Sequence, residues 1–262
     1  ISPGRERRPP GDFRPCGVRG GIPNLGFMSI YAVTGSASGM GKATADRLRE
    51  HGHTVIGVDL RDADIIADLS NPQGRAFAAS EVLHQSGGKL RGAVLAAGIG
   101  PGPGRTRALA EINYLGAVEL LTAWRPALAA TASAKVVVFS SNSTTTTPLI
   151  PGSAIRALLD GNAAKAERIM GRFGKNAPSL MYGTSKIALS RWLRRAAVTP
   201  EWAGAGIRLN AIAPGAILTP LLQAQLDNPE QRGAIEAFPI PTGTYGTADH
   251  IADWVIFMLS PA

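Results

Sequence analysis

From residue 28 onward, short apolar runs alternate with longer stretches of mixed polarity. Runs at 30–34, 54–58, 92–96, 135–140 and 207–212 are almost continuously apolar, the pattern of strands buried on both faces. A shorter run lies at 65–67. Between them, helices are predicted over 40–51, 73–86, 106–130, 180–198 and 248–259. Strand–helix repetition predicts an α/β fold: a doubly wound, mostly parallel sheet with helices on both faces. Two features interrupt the pattern. Residues 153–174 read as two short helices, with Ser153 and Asn162 as caps and Gly161 and Gly174 as stops. They form an insertion at about 148–178 before the helix at 180. The sequence also reaches Ala262 directly after a helix, so a final strand is missing from the pattern.

Residues 1–27 differ from the rest. They are rich in Gly, Pro and Arg and have no periodicity that would bury a face. They read as a disordered leader, an artificial extension or translated upstream sequence, with a flexible regulatory tail as the alternative. Residues 28–262 read as a single domain. The net charge is +8, of which the five arginines at 5, 7, 8, 14 and 19, against Glu6 and Asp12, supply +3. No dense basic run with interleaved aromatics follows, which argues against a nucleic-acid partner. No uninterrupted apolar run approaches the length of a membrane span, and no secretory signal is apparent. The one cysteine, Cys16, cannot form an internal disulfide, and a cytoplasmic home is the simplest expectation.

The candidate chemistry begins at TGSASGMG, residues 34–41, between the first strand and the first helix. Glycines at 35, 39 and 41 would let backbone N–H groups approach a pyrophosphate at a helix N-terminus. Asp59 ends the second strand, at a spacing suited to a ribose hydroxyl and hostile to a 2′-phosphate. NAD is therefore favoured over NADP, with the nearby Arg61 pulling the other way. Asp68-Leu69 follows the short apolar run and would meet an adenine amino group. Leu95-Ala-Ala-Gly98 offers small residues at a strand end. Tyr182 and Lys186 lie four apart and share a helix face, a pairing expected by chance in about one such chain in ten. An ammonium near a phenol favours the phenolate and suits the pair to acid–base work. Ser140-Ser141 end the fifth strand, and Asn113 sits within a helical stretch.

Taken in order, TGSASGMG, Asp59, Asp68-Leu69, Asn113, Ser141, Tyr182-Gly-Thr-Ser-Lys186 and Pro214-Gly215 resemble the short-chain dehydrogenase/reductase family over roughly residues 28–262. Val58-Asp-Leu-Arg-Asp-Ala63, Asn113-Tyr-Leu-Gly-Ala117 and Ile212-Ala-Pro-Gly-Ala216 narrow the likeness to the bacterial 3α-hydroxysteroid dehydrogenase/carbonyl reductase group, as does the helical insertion. The resemblance implies a Rossmann-like fold and an NAD(H)-dependent oxidoreductase for a hydrophobic secondary alcohol or ketone, with a 3α-hydroxysteroid or an aromatic carbonyl as candidate. It implies Tyr182 as acid/base, Lys186 lowering its pKa and holding the nicotinamide ribose, Ser141 orienting the substrate oxygen, and Asn113 placing a water. The cofactor would be held by Gly35, Ser38, Gly39, Met40, Gly41, Asp59, Leu60, Asp68, Leu69, Ala97 and Gly98, with Tyr182 and Lys186. Pro214, Gly215, Ile217 and Thr219 would flank the nicotinamide. No metal is expected. The resemblance further implies a homo-oligomer, a dimer or tetramer. Two departures bear on this: the family's Asn-Asn-Ala-Gly is Leu95-Ala-Ala-Gly98 here, and the last strand is missing. The alternative reading is a catalytically silent dinucleotide-binding protein of the same fold. Apolar residues of the loop 216–245, Ile217, Leu218, Leu221, Leu222, Leu226 and Phe238, point weakly to an apolar substrate.

Overall fold

The computed structural model describes residues 28–236, 240 and 243–261. The arginine-rich stretch 1–27 with Cys16, and Phe238, lie outside these residues.

Six parallel strands form the main sheet: β1 (Ile30–Thr34), β2 (Thr54–Asp59), β3 (Ile65–Ile66), β4 (Gly92–Leu95), β5 (Lys135–Phe139) and β6 (Arg208–Ile212). Their spatial order is β3-β2-β1-β4-β5-β6. The side-chain period of two divides each strand between two cores. Tyr31 and Val33 of β1, Val94 of β4, and Val137 and Phe139 of β5 pack under α1 (Gly39–Glu50) and, at the end of the described chain, α11 (Ala248–Leu259). Ala32, Ala93, Leu95, Val136 and Val138 face the larger core on the other side. That core is covered by α2 (Pro72–Gln85), α3 (Thr106–Ala110) with α4 (Ala117–Ala129), and α8 (Ala177–Ala196). The doubly wound arrangement read from the sequence is the one observed. Because chain order reverses between β1 and β4, a crevice opens at their carboxyl ends.

Between β5 and α8 come the short α5 (Ser143–Thr146) and the two inserted helices, α6 (Gly152–Leu159) and α7 (Ala163–Gly171). Asn162 caps α7 as expected, its side chain accepting from the Lys165 amide. Ser153 does not cap α6: Pro151 holds the cap position, so Ser153 is already helical. Pro151 fixes φ without requiring an N–H partner, so the helix starts two residues earlier than a serine cap would dictate. Gly161 and Gly174 both take positive φ where the helical segments break. Ile155, Leu158 and Met170 are buried in the main core, so α6 and α7 are part of its wall rather than a surface appendage.

Two stretches have no counterpart in the periodicity. Residues Glu111–Gly116 form a π-helical turn joining α3 to α4, inside what reads as one helix. After β6, β7 (Ile217–Leu218) pairs in parallel with β8 (Gly246–Thr247), and α9 (Pro220–Asp227) and α10 (Pro229–Glu236) fill the intervening chain.

Candidate active site

The glycine-rich turn closes on the crevice. Gly35 donates from its amide to Val58 O at 2.8 Å and takes φ +70°, which a side chain would resist. A Cβ there would lie 2.8 Å from the Ala97 amide nitrogen. Gly39 also has positive φ, and a Cβ on it would touch Thr219 at 3.4 Å across the crevice. Ser38 precedes α1 in extended conformation, and its side chain makes no capping bond. The first amides of α1 are thus left without a side-chain acceptor, the arrangement that suits a phosphate.

The resulting cavity measures about 160 Å³. Its wall includes Gly35, Ser38, Gly39, Met40 and Gly41 from the turn; Asp59 and Leu60 from the end of β2; Asp68 and Leu69; Ala97 and Gly98; and Thr219. These sequence-predicted cofactor residues therefore meet around one space. Ile99, Ile112 and Pro220 join them there and were not anticipated, as does Leu221, which was expected on the substrate side. Pro214, Gly215 and Ile217 stand apart from this wall. Pro214 O accepts from the Asn142 amide, and Ile217 packs with Met40 and Ala96 in the smaller core.

The Asp59 carboxylate points back at the glycine turn. One oxygen accepts from the Ala37 amide at 2.9 Å and the other from the Leu60 amide at 2.7 Å. Arg61 is exposed. Asp68 accepts from the Ser70 amide, and that bond holds its carboxyl below the usual carboxylate range. Leu95-Ala-Ala-Gly98 has no asparagine side chain, and the amides here are held from elsewhere. Thr34 Oγ1 accepts from the Ala97 amide at 3.1 Å, and Asn113 Oδ1 accepts from the Ile99 amide at 2.8 Å. Thr34, the first residue of TGSASGMG, thus anchors the opposite wall, a role the glycines alone would not have revealed.

Asn113 lies in the π-turn and is buried. Besides accepting from Ile99, it donates through Nδ2 to Ile99 O at 3.0 Å. A Cβ on Gly98 would sit 3.3 Å from Asn113 Oδ1 and 3.8 Å from Lys186 Nζ. Gly98 therefore lies next to both the cavity and these two polar groups.

Ser140 and Ser141 part company at the end of β5. Ser140 Oγ is bonded to Ser190 Oγ of α8 at 2.7 Å. Ser141 instead lies beside the Tyr182 phenol, donates to Asn142 Oδ1 at 3.4 Å and accepts from the Ser143 amide at 3.1 Å. Lys186 Nζ lies 6.0 Å from the Tyr182 ring centre and donates to Phe139 O at 2.7 Å. Burial lowers the Lys186 pKa to about 8. Burial likewise pushes the Tyr182 phenol up, and the Ser141 hydroxyl pulls it back only in part. Desolvation, rather than Lys186, therefore sets the direction of this shift. At 6.0 Å, with its ammonium turned to a carbonyl, Lys186 does not outweigh the desolvation of Tyr182.

Comparison with known proteins agrees with this geometry. A family model described as Enoyl-(Acyl carrier protein) reductase matches residues 166–262. The chain is 39% identical over 235 residues to 3-alpha-hydroxysteroid dehydrogenase/carbonyl reductase of Comamonas testosteroni, covering 90% of this chain and 91% of that one. It is 32% identical over 241 residues to coniferyl-alcohol dehydrogenase of Pseudomonas sp. strain HR199, covering 86% and 87%. Among solved structures, 3-alpha-hydroxysteroid dehydrogenase from Pseudomonas sp. B-0831, complexed with NADH, superposes with a TM-score of 0.82 at 38% identity, over 89% of this chain and 90% of that one. Matched along nine-tenths of its length by a relative 39% identical to it, this chain belongs to the short-chain dehydrogenase/reductase family of oxidoreductases.

Proposed function

We propose that the protein is an NAD(H)-dependent oxidoreductase that interconverts a hydrophobic secondary alcohol and its ketone. A 3α-hydroxysteroid and its 3-ketone are the first substrates to try. One observation carries the proposal: Tyr182 lies by Ser141 and Lys186, and Lys186 in turn lies next to Gly98 of a glycine-lined cavity.

A dinucleotide fits the residues present. The turn brings Gly35 and Gly39 to the cavity in conformations closed to side chains, and the adjoining amides of α1 carry no side-chain cap. Asp59 would accept from ribose hydroxyls, and its charge would disfavour a 2′-phosphate. Thr219, whose hydroxyl caps α9 by accepting from the Leu222 amide, faces the cavity at what would be the nicotinamide end. When bound, the nicotinamide accepts or supplies the hydride.

The chain's own groups handle the proton. Tyr182, with its pKa raised, holds its proton at neutral pH and can give it to a ketone oxygen as the carbon is reduced. The reverse reaction needs the phenolate and is favoured by alkaline pH. Ser141 would donate to the substrate oxygen and stabilise charge developing on it. Lys186 would hold the cofactor ribose, with Asn113 close by at Gly98. An apolar substrate is supported by the exposed Leu218 and Leu221 after β6, and by the substrates that the two named relatives' titles give.

The test follows NADH formation by absorbance when the protein meets NAD and a 3α-hydroxysteroid, with Tyr182→Phe alongside. Turnover is expected in the parent and is expected to vanish in Tyr182→Phe while NADH still binds. Full activity in the variant would overturn the assignment of Tyr182. Saturable NADH binding without turnover on a broad alcohol and ketone panel would overturn the enzyme reading.

A further inference from the structure

Arg75, in the first turn of α2, is only 3% exposed. Its guanidinium serves three partners at once. Nη1 donates to Leu69 O at 3.1 Å and to Glu111 Oε2 at 2.9 Å. Nε and Nη2 donate to the two oxygens of Glu119 at 2.6 and 3.2 Å. Leu69 belongs to the cavity wall, and Glu111 opens the π-turn two residues before Asn113. One side chain thus ties the Asp68-Leu69 turn to the π-turn.

The surrounding contacts are correspondingly tight. A Cβ on Gly74 would lie 2.7 Å from the Asp68 carbonyl carbon, and one on Gly116 would meet Leu69 Cβ at 3.5 Å. The second oxygen of Glu111 accepts from Arg107 Nε at 2.6 Å, and Arg107 reaches Glu167 of the inserted α7 at 3.5 Å. The inserted helix therefore ends in the same network.

Packing alone does not call for such a group. A buried ion pair is often matched or bettered in stability by apolar residues of similar volume. What a guanidinium adds is a rigid fork that fixes angles among several acceptors. A π-turn interrupting a helix is a place where fixed angles matter, since π geometry is rare and gathers at functional sites.

We propose that Arg75 and Glu111 are positioning residues for the dinucleotide site. They lock the turn carrying Asp68 and Leu69 to the π-turn carrying Ile112 and Asn113, and so hold Asn113 against Ile99. The functional consequence rests on the dinucleotide reading above; the coupling itself does not.

The test uses the full chain carrying Arg75→Met and Glu111→Leu together. Both buried charges leave at once, and the remaining partners, Glu119 and Arg107, have side chains 45% and 44% exposed and so stay solvated. Hydrogen exchange is read first, without cofactor, at the Ile99 amide, which donates to Asn113 Oδ1. Exchange there should accelerate tenfold or more relative to the amides of β4. A folded double variant in which Ile99 exchanges within twofold of the parent overturns the proposal. NADH titration by fluorescence is read second. The double variant should bind about tenfold more weakly, whereas Glu111→Gln, which keeps an acceptor for either arginine, should stay within threefold. Lower thermal stability with unchanged exchange and unchanged NADH affinity would make the pair merely structural and overturn the proposal. If the double variant does not fold, Arg75→Lys takes its place with the same criteria, because an ammonium keeps the charge but not the fork. Failure of the parent to bind NADH would count against the dinucleotide reading alone, and the exchange at Ile99 would still decide the coupling.

Discussion

Gly41→Ala sets two known effects against each other. Gly41 is the third residue of α1, and alanine is ordinarily the better helix former by about 1 kcal/mol. Here a methyl carbon would overlap the Gly35 carbonyl, 2.8 Å from its carbon, and would lie 3.2 Å from the Ala96 side chain. Comfortable carbon contacts begin near ~3.5 Å, so α1 and the glycine turn would have to part by about 1 Å. Overpacking of this kind typically costs about 1–3 kcal/mol, which outweighs the propensity gain. The effect on function should be larger still. The amides of the turn would move with Gly35, and a misplacement of about 1 Å can cost roughly a hundredfold in turnover. Thermal denaturation and NADH titration read the two effects separately. Both Tm and NADH affinity should fall in Gly41→Ala. Gly152→Ala is the control, because a Cβ at that helical position meets nothing within 4 Å. It should leave affinity unchanged and stability equal or slightly higher. A Gly41→Ala protein with raised Tm and parental NADH affinity would refute the argument that close approach of turn and helix builds the cradle.

Two further outcomes follow from charge. Burial lowers Lys186 to about 8, below its value in the unfolded chain. Between pH 8 and about 10 the unfolded state binds more protons than the folded one, so this group makes stability rise with pH, by an amount approaching about 3 kcal/mol over its full range. Lys186→Met should lose that rise in denaturant unfolding at stepped pH, and an unaltered slope would show that Lys186 titrates normally. Asp59→Asn keeps an acceptor for the Ala37 amide but removes the charge. The preference for NAD over NADP, read as a ratio of kcat/KM values, should narrow by about tenfold, roughly 1.4 kcal/mol; an unchanged ratio would remove Asp59 as the selector.

Much of the scaffold was legible because it depends on local pattern. Runs such as Val136-Val-Val138 are apolar on both faces, which only a buried strand between helical layers satisfies. Tyr182 and Lys186 were visible as a pair because four residues is one helical turn. The π-turn was hidden because Thr106 to Ala129 reads as one helical stretch despite Gly116 and Pro126, and nothing local marks where the ladder slips. Arg75 was hidden for the opposite reason: an arginine in a helix ordinarily reads as solvated, and its burial depends on carboxylates 36 and 44 residues away.

The amino-acid order by itself determined the strand and helix succession, the glycine turn, Asp59 at the end of β2 and the Tyr182–Lys186 spacing. Each is set by neighbours within a turn or two of chain. The resemblance already pointed to Ser141, but only the tertiary structure supplied the physical reason, since Ser140 is claimed by Ser190 fifty residues on. The tertiary structure also decided that Thr34 and Asn113 hold the amides of Ala97 and Ile99. The direction of the Tyr182 shift belongs with these. A proton's affinity depends on everything that displaces water around it, and that enclosure is assembled by segments distant in the chain.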